Sequence, residues 1–138
     1  MQKSVKILLF ITLIFFTTEK ISAQKTYDIY SDTLLIINEK PINKDRVLMK
    51  RKEMIEADTF KVNQRGLSIT GFTMSAITLG RKVELKSNKP FLTAEMKDEI
   101  LNKQSNFKFI YLKNIILRTK DGRSVGLSTK QIKIIFED

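Results

Sequence analysis

The side chains of this sequence that could do chemistry are carboxylates, serines and lysines, because the chain contains neither histidine nor cysteine. Catalysis would then need a pair of carboxylates for acid–base work, or a serine activated by a lysine. Two adjacent pairs occur, Asp98-Glu99 and Glu137-Asp138, and Glu95 lies four residues before Glu99. Adjacent residues on a helix point in different directions, so we interpret these carboxylates as solvated surface groups.

Recognisable catalytic and metal-binding motifs are absent from the sequence. It contains no HExxH zinc motif, no GxSxG nucleophile elbow, no P-loop and no EF-hand spacing. The lack of cysteine also excludes disulfide and thiol chemistry. We therefore predict that the protein is not an enzyme and that it has no catalytic, cofactor-binding or metal-ligating residues.

The chain is strongly basic, with a net charge of +10. Such a charge favours anionic partners. Lysines outnumber arginines by 19 to 6 and are spread along the chain, and the densest run, Lys50-Arg51-Lys52, is followed at once by Glu53. Nucleic-acid binders instead cluster arginine and lysine with exposed aromatic side chains. We therefore do not expect nucleic acid as a partner.

The first 23 residues are typical of a secretory signal peptide. Lys3 and Lys6 form a positive start, residues 7–16 are uninterruptedly apolar, and Ile21-Ser22-Ala23 is a small-residue cleavage site. The apolar stretch is shorter than the roughly 20 residues that span a bilayer, which makes a retained anchor the minor alternative. The sequence thus predicts an exported protein, periplasmic or extracellular, without an integral membrane segment after cleavage.

The remaining 115 residues, 24–138, have the usual size of one domain. Residues 1–23 carry Lys3, Lys6, Lys20 and Glu19, a net +2 of the total +10, so residues 24–138 carry +8. A chain of this length can close a core without disulfides. We divide it into an N-terminal strand segment, 24–47, and a main domain, 48–138.

The first part of this region predicts strands and one short helix. Residues 33–37 are β-rich, the polar residues 38–41 close that strand, and residues 50–57 favour a helix of two turns. From Leu67 the apolar residues alternate, and their parity changes at Gly71, which predicts a β-bulge. Gly80 then marks the turn into a strand that ends near Lys86.

A longer helix is predicted from the N-cap Thr93 to Lys103. Its apolar face follows from four-residue spacing, with Glu99 and Lys103 as an exposed ion pair. The residues of that face are Leu92, Met96 and Ile100, with Leu101 beside them.

The strongest strand signal covers residues 107–117. Strict alternation places Phe107, Phe109, Tyr111, Ile115 and Leu117 on one face and Ile110, Leu112 and Ile116 on the other. Apolar residues on both faces predict a strand that is covered on both sides.

The chain then predicts a hairpin and a final strand. Asp121-Gly122 favours a type I′ turn, with a return strand through Leu127 and a last strand over residues 131–136. In total the pattern predicts a mainly β domain with about seven strands, one short and one longer helix, built as a β-sandwich or a half-open barrel.

Several segments of the sequence resemble the C-terminal domain of the GldM family, which belongs to the gliding-motility and type IX secretion machinery of Bacteroidota. The similarity extends over about residues 48–136. The matching segments are SNK at 87–89, LTAEM at 92–96, FKFIYLKNI at 107–115, DGR at 121–123, the strand at 127–136, KEMIEA at 52–57 and LSITGFTMS at 67–75.

This resemblance implies an immunoglobulin-like β-sandwich that faces the periplasm and works by protein–protein contact. The transmembrane helix and helical periplasmic domain of full-length GldM have no counterpart here, so the motor role is not implied. We expect an exported, non-enzymatic protein-binding or scaffolding domain with an envelope protein as its partner. Its binding surface is not identified by the sequence, although the last strand, as an edge, could pair with a partner strand.

Two alternatives stay open at this stage. One is a secreted protein that binds polyanions or polysaccharides through its lysine-rich surface. The other is an inhibitor of an envelope enzyme.

Overall fold

The computed structural model describes residues 33–43, 45–127 and 131–137. This part of the chain is mainly β, with nine strands and two helices. The predicted signal peptide, 1–23, and the residues that follow it up to 32 lie outside the described residues. Neither helix of the described part is long and apolar enough to cross a bilayer.

A small antiparallel sheet is built from three short strands in the order β2-β1-β4. Asn38 and Glu39 have positive φ angles of 49° and 63° and form a two-residue turn between β1 and β2. The prediction that residues 38–41 only close a strand is therefore incomplete, because Pro41 pairs with Ile36 in an edge strand, where proline is tolerated. The strands are β1 (Leu35–Ile37), β2 (Lys40–Ile42) and β4 (Lys61–Val62).

A larger sheet contains the other six strands in the order β3-β9-β7-β5-β6, with β8 paired to β7. The first strand of this sheet, β3, runs parallel to β9, and the other neighbours are antiparallel. The predicted boundary between residues 47 and 48 falls within β3. The strands are β3 (Arg46–Met49), β5 (Leu67–Thr78), β6 (Arg81–Ser87), β7 (Phe109–Thr119), β8 (Ser124–Gly126) and β9 (Gln131–Phe136).

The last strand, β9, is not an edge strand. It pairs with β7 on one side and with β3 on the other, so its backbone is already used within the sheet. The expectation that this strand pairs with a partner is wrong, because β3, far away in sequence, takes that position. Among the described strands, β3 and β6 lie at the two ends of the strand order, and β8, which pairs only with β7, is a further edge.

The predicted bulge at Gly71 is confirmed. The β5–β7 register shifts on both sides of this residue, which faces Ile116. A Cβ at this position would lie 2.7 Å from the carbonyl oxygen of Ser87, closer than real contacts allow. Glycine is therefore required here because the β6 backbone approaches it directly.

A second bulge, in β7, overturns the predicted faces of that strand. Lys113 and Ile116 are three positions apart in β7, while their partners Thr73 and Gly71 are two positions apart in β5. Asn114, with φ 51°, supplies the extra residue. Strict alternation is therefore wrong beyond this residue, and one face of β7 is buried while the other is partly exposed. The buried residues are Ile110, Leu112, Ile115 and Leu117.

The two helices are shorter than predicted. The short helix, α1, covers Arg51–Ile55, and the longer helix, α2, covers Ala94–Leu101. The N-cap is confirmed, because the Thr93 hydroxyl accepts a hydrogen bond from the Met96 amide at 3.3 Å. The helix ends before Lys103, so the expected ion pair with Glu99 does not form, and Glu99 instead accepts a hydrogen bond from the Ser105 hydroxyl at 2.9 Å.

The core is one cluster to which both sheets and both helices contribute. Met54 of α1 and Met96 and Ile100 of α2 are buried in it, as predicted for the last two. Leu101, which we expected beside that face, is 56% exposed. Arg51 connects α1 to α2, to the segment before β7 and to β9. Its guanidinium donates to the carbonyl oxygens of Ile100 and Phe107 and lies 4.6 Å from the centre of the Phe136 ring.

Candidate binding surface on the open sheet face

The side of the large sheet that faces away from the core carries a continuous set of polar, aromatic and exposed apolar side chains. Since neighbouring residues of a strand alternate between faces, the buried inner residues identify these outer ones. We call this surface the open face. Its residues are Arg46 and Leu48 on β3, Lys133 and Ile135 on β9, Phe109, Tyr111 and Lys113 on β7, Thr73, Ser75 and Ile77 on β5, and Lys82, Glu84 and Lys86 on β6. Thr73 and Ser75, on the central strand β5, point to this side but are buried.

An apolar stripe crosses the open face. Leu48 pairs with Ile135, and Ile135 pairs with Phe109. Ile77 lies two residues beyond Ser75, which pairs with Tyr111, and so stands at the level of Phe109. Leu48 is 59% exposed and Ile77 is 55% exposed, while the two central residues are half-buried. The stripe thus presents apolar surface across four neighbouring strands.

A lysine and two aromatic rings form the centre of the open face. The ammonium of Lys133 lies 3.9 Å from the centre of the Phe109 ring and 5.8 Å from that of Tyr111. The two rings meet edge to face, with their centres 5.5 Å apart. Such cation–π contacts hold the lysine in place without neutralising its charge. This part of the surface is therefore ordered before any partner arrives.

Positive charge dominates the open face. Glu84 is its one carboxylate among the described residues, and its oxygens lie 2.8 Å from the ammonium groups of both Lys82 and Lys113. The hydrogen bond from Lys113, and then that from Lys82, lowers the pKa of Glu84 to about 2. Glu84 is thus ion-paired with two of the five cations of the open face. The other three, Arg46, Lys86 and Lys133, add positive charge that no carboxylate of this face neutralises.

The candidate catalytic carboxylates lie elsewhere and do not form a single site. Glu95, Asp98 and Glu99 line a shallow groove of about 480 Å³ beside α2. Glu137 is exposed at the end of β9 and borders a different groove, while Asp138 lies outside the described residues. Throughout the described ranges, no three acidic side chains are placed so that they could hold a metal ion.

The groove that Glu137 borders has a volume of about 630 Å³ and lies beside α1. Arg51 forms part of its wall, but its hydrogen bonds and ring contact give this side chain a structural role. The groove is lined by Lys50, Arg51, Lys52, Ile55, Glu56, Leu101 and Glu137.

Strict alternation concealed the open face, because it placed Ile115 and Leu117 beside Phe109 and Tyr111 and made that side of β7 apolar throughout. A signal was present in the chain. The apolar residues change parity between Leu112 and Ile115, and between them stands Asn114, a residue type that tolerates positive φ. The same reasoning that identified the bulge at Gly71 would have identified this one.

Comparison with protein-family models finds no matching family, and comparison with curated proteins finds no match either. The functional argument therefore rests on the surfaces of the molecule itself.

Proposed function

We propose that this chain is an exported, non-enzymatic protein-binding domain of the bacterial envelope, and that it docks on its partner through the open face. The observation that carries this proposal is the apolar stripe from Leu48 to Ile77, bordered by lysines and arginine. Apolar and aromatic side chains at the centre with charged groups around them are typical of protein interfaces. Exposed apolar surface of this extent favours a partner that can cover it.

The ordered centre of the open face adds support. Lys133 is held over Phe109 and Tyr111, so it loses little side-chain freedom when a partner binds. Lower entropy loss leaves more of the contact energy for affinity. Because unpaired positive charge borders the stripe, we expect an acidic partner surface with apolar residues at its centre.

For the fold, we propose the immunoglobulin-like β-sandwich that the resemblance to the GldM C-terminal domain implies. Two sheets contribute to one core, which is the arrangement that a sandwich requires. In this proposal residues 48–136 correspond to the GldM-like domain, and the role inherited is docking on an envelope protein.

A second candidate function, binding of polyanions or polysaccharides, is favoured by the excess of cations on the open face. The two candidates differ in what they require of the apolar stripe. A protein interface needs the stripe, whereas a polyanion would contact the lysines and leave the stripe uncovered. Polyanion binding also weakens steeply with salt.

The test is affinity capture of envelope proteins on tagged residues 24–138 at physiological salt, followed by mass spectrometry. We expect Leu48→Ser and Lys133→Glu each to remove the captured partner, and the matched variant Leu101→Ser, at an exposed leucine outside the open face, to retain it. Capture that survives both open-face variants would contradict the proposed surface.

A parallel measurement with heparin separates the second candidate. Heparin binding that is strong at low salt, lost at physiological salt and indifferent to Leu48→Ser would support the polyanion function. Absence of heparin binding at low salt would exclude it.

A further inference from the structure

The turn between β5 and β6 contains a leucine that neither the backbone nor the packing of the protein explains. Leu79 and Gly80 are the two central residues of this turn, and both have positive φ, 46° and 76°. A type I′ turn requires this conformation and favours asparagine, aspartate or glycine at both positions. Leucine is disfavoured there because its Cβ approaches the carbonyl oxygen that follows.

Packing does not compensate for this conformation. Leu79 is 96% exposed, the highest exposure among the large apolar residues of the described chain. A polar residue would therefore suit both the backbone and the solvent better. A leucine at this position is explained if its side chain enters an apolar environment that lies outside the folded protein.

The surroundings of Leu79 are basic. Arg81 and Lys82 follow the turn, and the Thr78 hydroxyl donates a hydrogen bond to the carbonyl oxygen of Ser105 at 2.6 Å. This bond attaches the turn to residues 102–108, which add Lys103 and Lys108. The two segments, 77–82 and 102–108, contain four cations and no carboxylate. Two carboxylates from outside contact them, since Lys82 pairs with Glu84 and the Ser105 hydroxyl donates to Glu99.

We propose that this hairpin tip, formed by Ile77, Leu79 and Arg81 together with Lys103, docks on an anionic lipid surface. Leu79 enters the boundary between headgroups and acyl chains, and the cations contact lipid phosphates. Apolar insertion combined with electrostatic attraction is the usual basis of peripheral membrane binding. The proposal goes beyond the protein-docking function, and its principal residue, Leu79, lies outside the open face, although Ile77 belongs to both surfaces.

Charge complementarity favours a lipid surface over a pocket in a partner protein. An anionic membrane offers phosphates on all sides of an inserted side chain, which suits the excess of cations in the two segments that the Thr78–Ser105 hydrogen bond joins. Ile77, 55% exposed and two residues before Leu79, gives additional apolar surface behind the tip. Depth of insertion is then limited by the polar groups of the turn itself.

The first test is flotation of residues 24–138 with vesicles of phosphatidylcholine, with and without phosphatidylglycerol. We expect binding only to the anionic vesicles, and a loss of roughly ten-fold or more in Leu79→Asn, since a buried leucine side chain contributes about that factor. Leu101→Asn, at an exposed leucine of α2, is the matched control and should bind like the unchanged protein. Binding that is equal in Leu79→Asn and the unchanged protein would overturn the proposal.

The second test uses the absence of tryptophan from the chain. Leu79→Trp introduces a single fluorescent reporter at the tip, and tryptophan is favoured at membrane interfaces. We expect its emission to shift to shorter wavelength with anionic vesicles and to be quenched by brominated lipids. Leu101→Trp should show neither effect. A protein that floats while the emission of Trp at position 79 stays unchanged would place the lipid contact elsewhere and reject the tip.

The third test concerns the cations. Arg81→Gln and Lys103→Gln should each weaken binding to anionic vesicles by roughly five-fold, since a basic residue near such a surface contributes about 1 kcal/mol. Binding that is abolished by salt but insensitive to both variants would reflect the overall charge and contradict the proposal. Failure of partner capture leaves these vesicle results unaffected, so the two proposals can fail separately.

Discussion

The large sheet has two hairpin turns that end in glycine, and they differ in the residue before it. The β7–β8 turn contains Asp121-Gly122, and the β5–β6 turn contains Leu79-Gly80. Local chemistry explains the first turn completely, whereas the second has a residue that its own surroundings disfavour. A turn of the second kind points to a contact beyond the molecule.

In the β7–β8 turn the side chains of Thr119, Asp121 and Arg123 are joined by hydrogen bonds. The Thr119 hydroxyl donates to the Asp121 carboxylate, and the Arg123 Nε donates to the same carboxylate at 2.8 Å. These contacts lower the pKa of Asp121, with the hydroxyl of Thr119 as the main cause. Gly122, with φ 87°, is the turn's residue of positive φ, so the predicted type I′ turn is wrong although the hairpin exists.

In the β5–β6 turn, by contrast, the type of the first central residue does not suit its backbone conformation. The backbone of the turn has the type I′ form that the sequence favoured for the other turn, and its first residue is an exposed leucine. The residue types of a turn and its backbone conformation are therefore separate properties, which agree in one of these turns and disagree in the other. Where they disagree, as at Leu79, the disagreement is itself informative about function.

The largest expected effect on stability comes from a change at Gly71, which pairs with Ile116 of β7 and lies against Ser87 of β6. Gly71→Ala should destabilise the fold by roughly 2 kcal/mol, because the new Cβ would lie 2.7 Å from the Ser87 carbonyl oxygen. Urea unfolding measures this loss. An unchanged midpoint would mean that β6 can move away at no cost, and that glycine is not required at this position.

A change within the locally satisfied turn should have a smaller effect. Gly122→Ala places a Cβ at φ 87° and should cost about 1 kcal/mol of stability. Nothing lies within 4 Å of the added atom, so the loss reports backbone conformation alone. Thermal unfolding of Gly122→Ala beside Gly126→Ala, whose glycine is also open but has no positive φ, gives the matched comparison.

The leucine turn should respond in the reverse direction. Leu79→Asn should raise the free energy of unfolding by about 0.5 kcal/mol, because asparagine tolerates positive φ better than leucine. Chemical denaturation under the same conditions measures this gain. A loss of stability in Leu79→Asn would show that leucine is favoured by the fold itself, and the contrast between the two turns would disappear.

The change in stability that acid causes through Glu84 should be the smallest of these effects. The pKa of Glu84 is about 2 in the folded protein, below its ordinary value of 4.5, because of Lys113 and Lys82. A lowered pKa means that the contribution is complete above pH 4.5 and is lost as the pH falls toward 2. Glu84→Gln should therefore lose less stability than the unchanged protein between these values, as pH-dependent unfolding can measure. Parallel curves for both proteins would remove Glu84 as a stabilising partner of the open face.

Those elements that depend on neighbouring residues were predicted well. Thr93 caps α2 because its hydroxyl reaches an amide only three residues ahead. The bulge at Gly71 was visible as a change of parity, and the turn at Gly80 followed from the glycine and the flanking strand residues. Each of these features requires contacts within one segment or between adjacent strands.

Predictions failed where a distant segment determined the outcome. The position of β9 depends on β3, more than 80 residues earlier, which pairs along its second side. The exposure of Leu101 depends on where α2 ends, and Asn102 ends the helix two residues earlier than the pattern indicated. The open face was missed because the extra residue in β7 moves Ile115 and Leu117 to the buried side of the strand, away from Phe109 and Tyr111.

The sequence by itself determined that histidine and cysteine are absent, that the fold is mainly β and that the chain is strongly basic. Those properties follow from residue types and local periodicity, which need no knowledge of strand order. The tertiary structure alone decided which strand is central, which residues meet on the open face and that Leu79 stands exposed among cations. Strand pairing between distant segments is selected by the burial of the whole core, so local patterns can mark a bulge or a turn but do not specify which strands lie side by side.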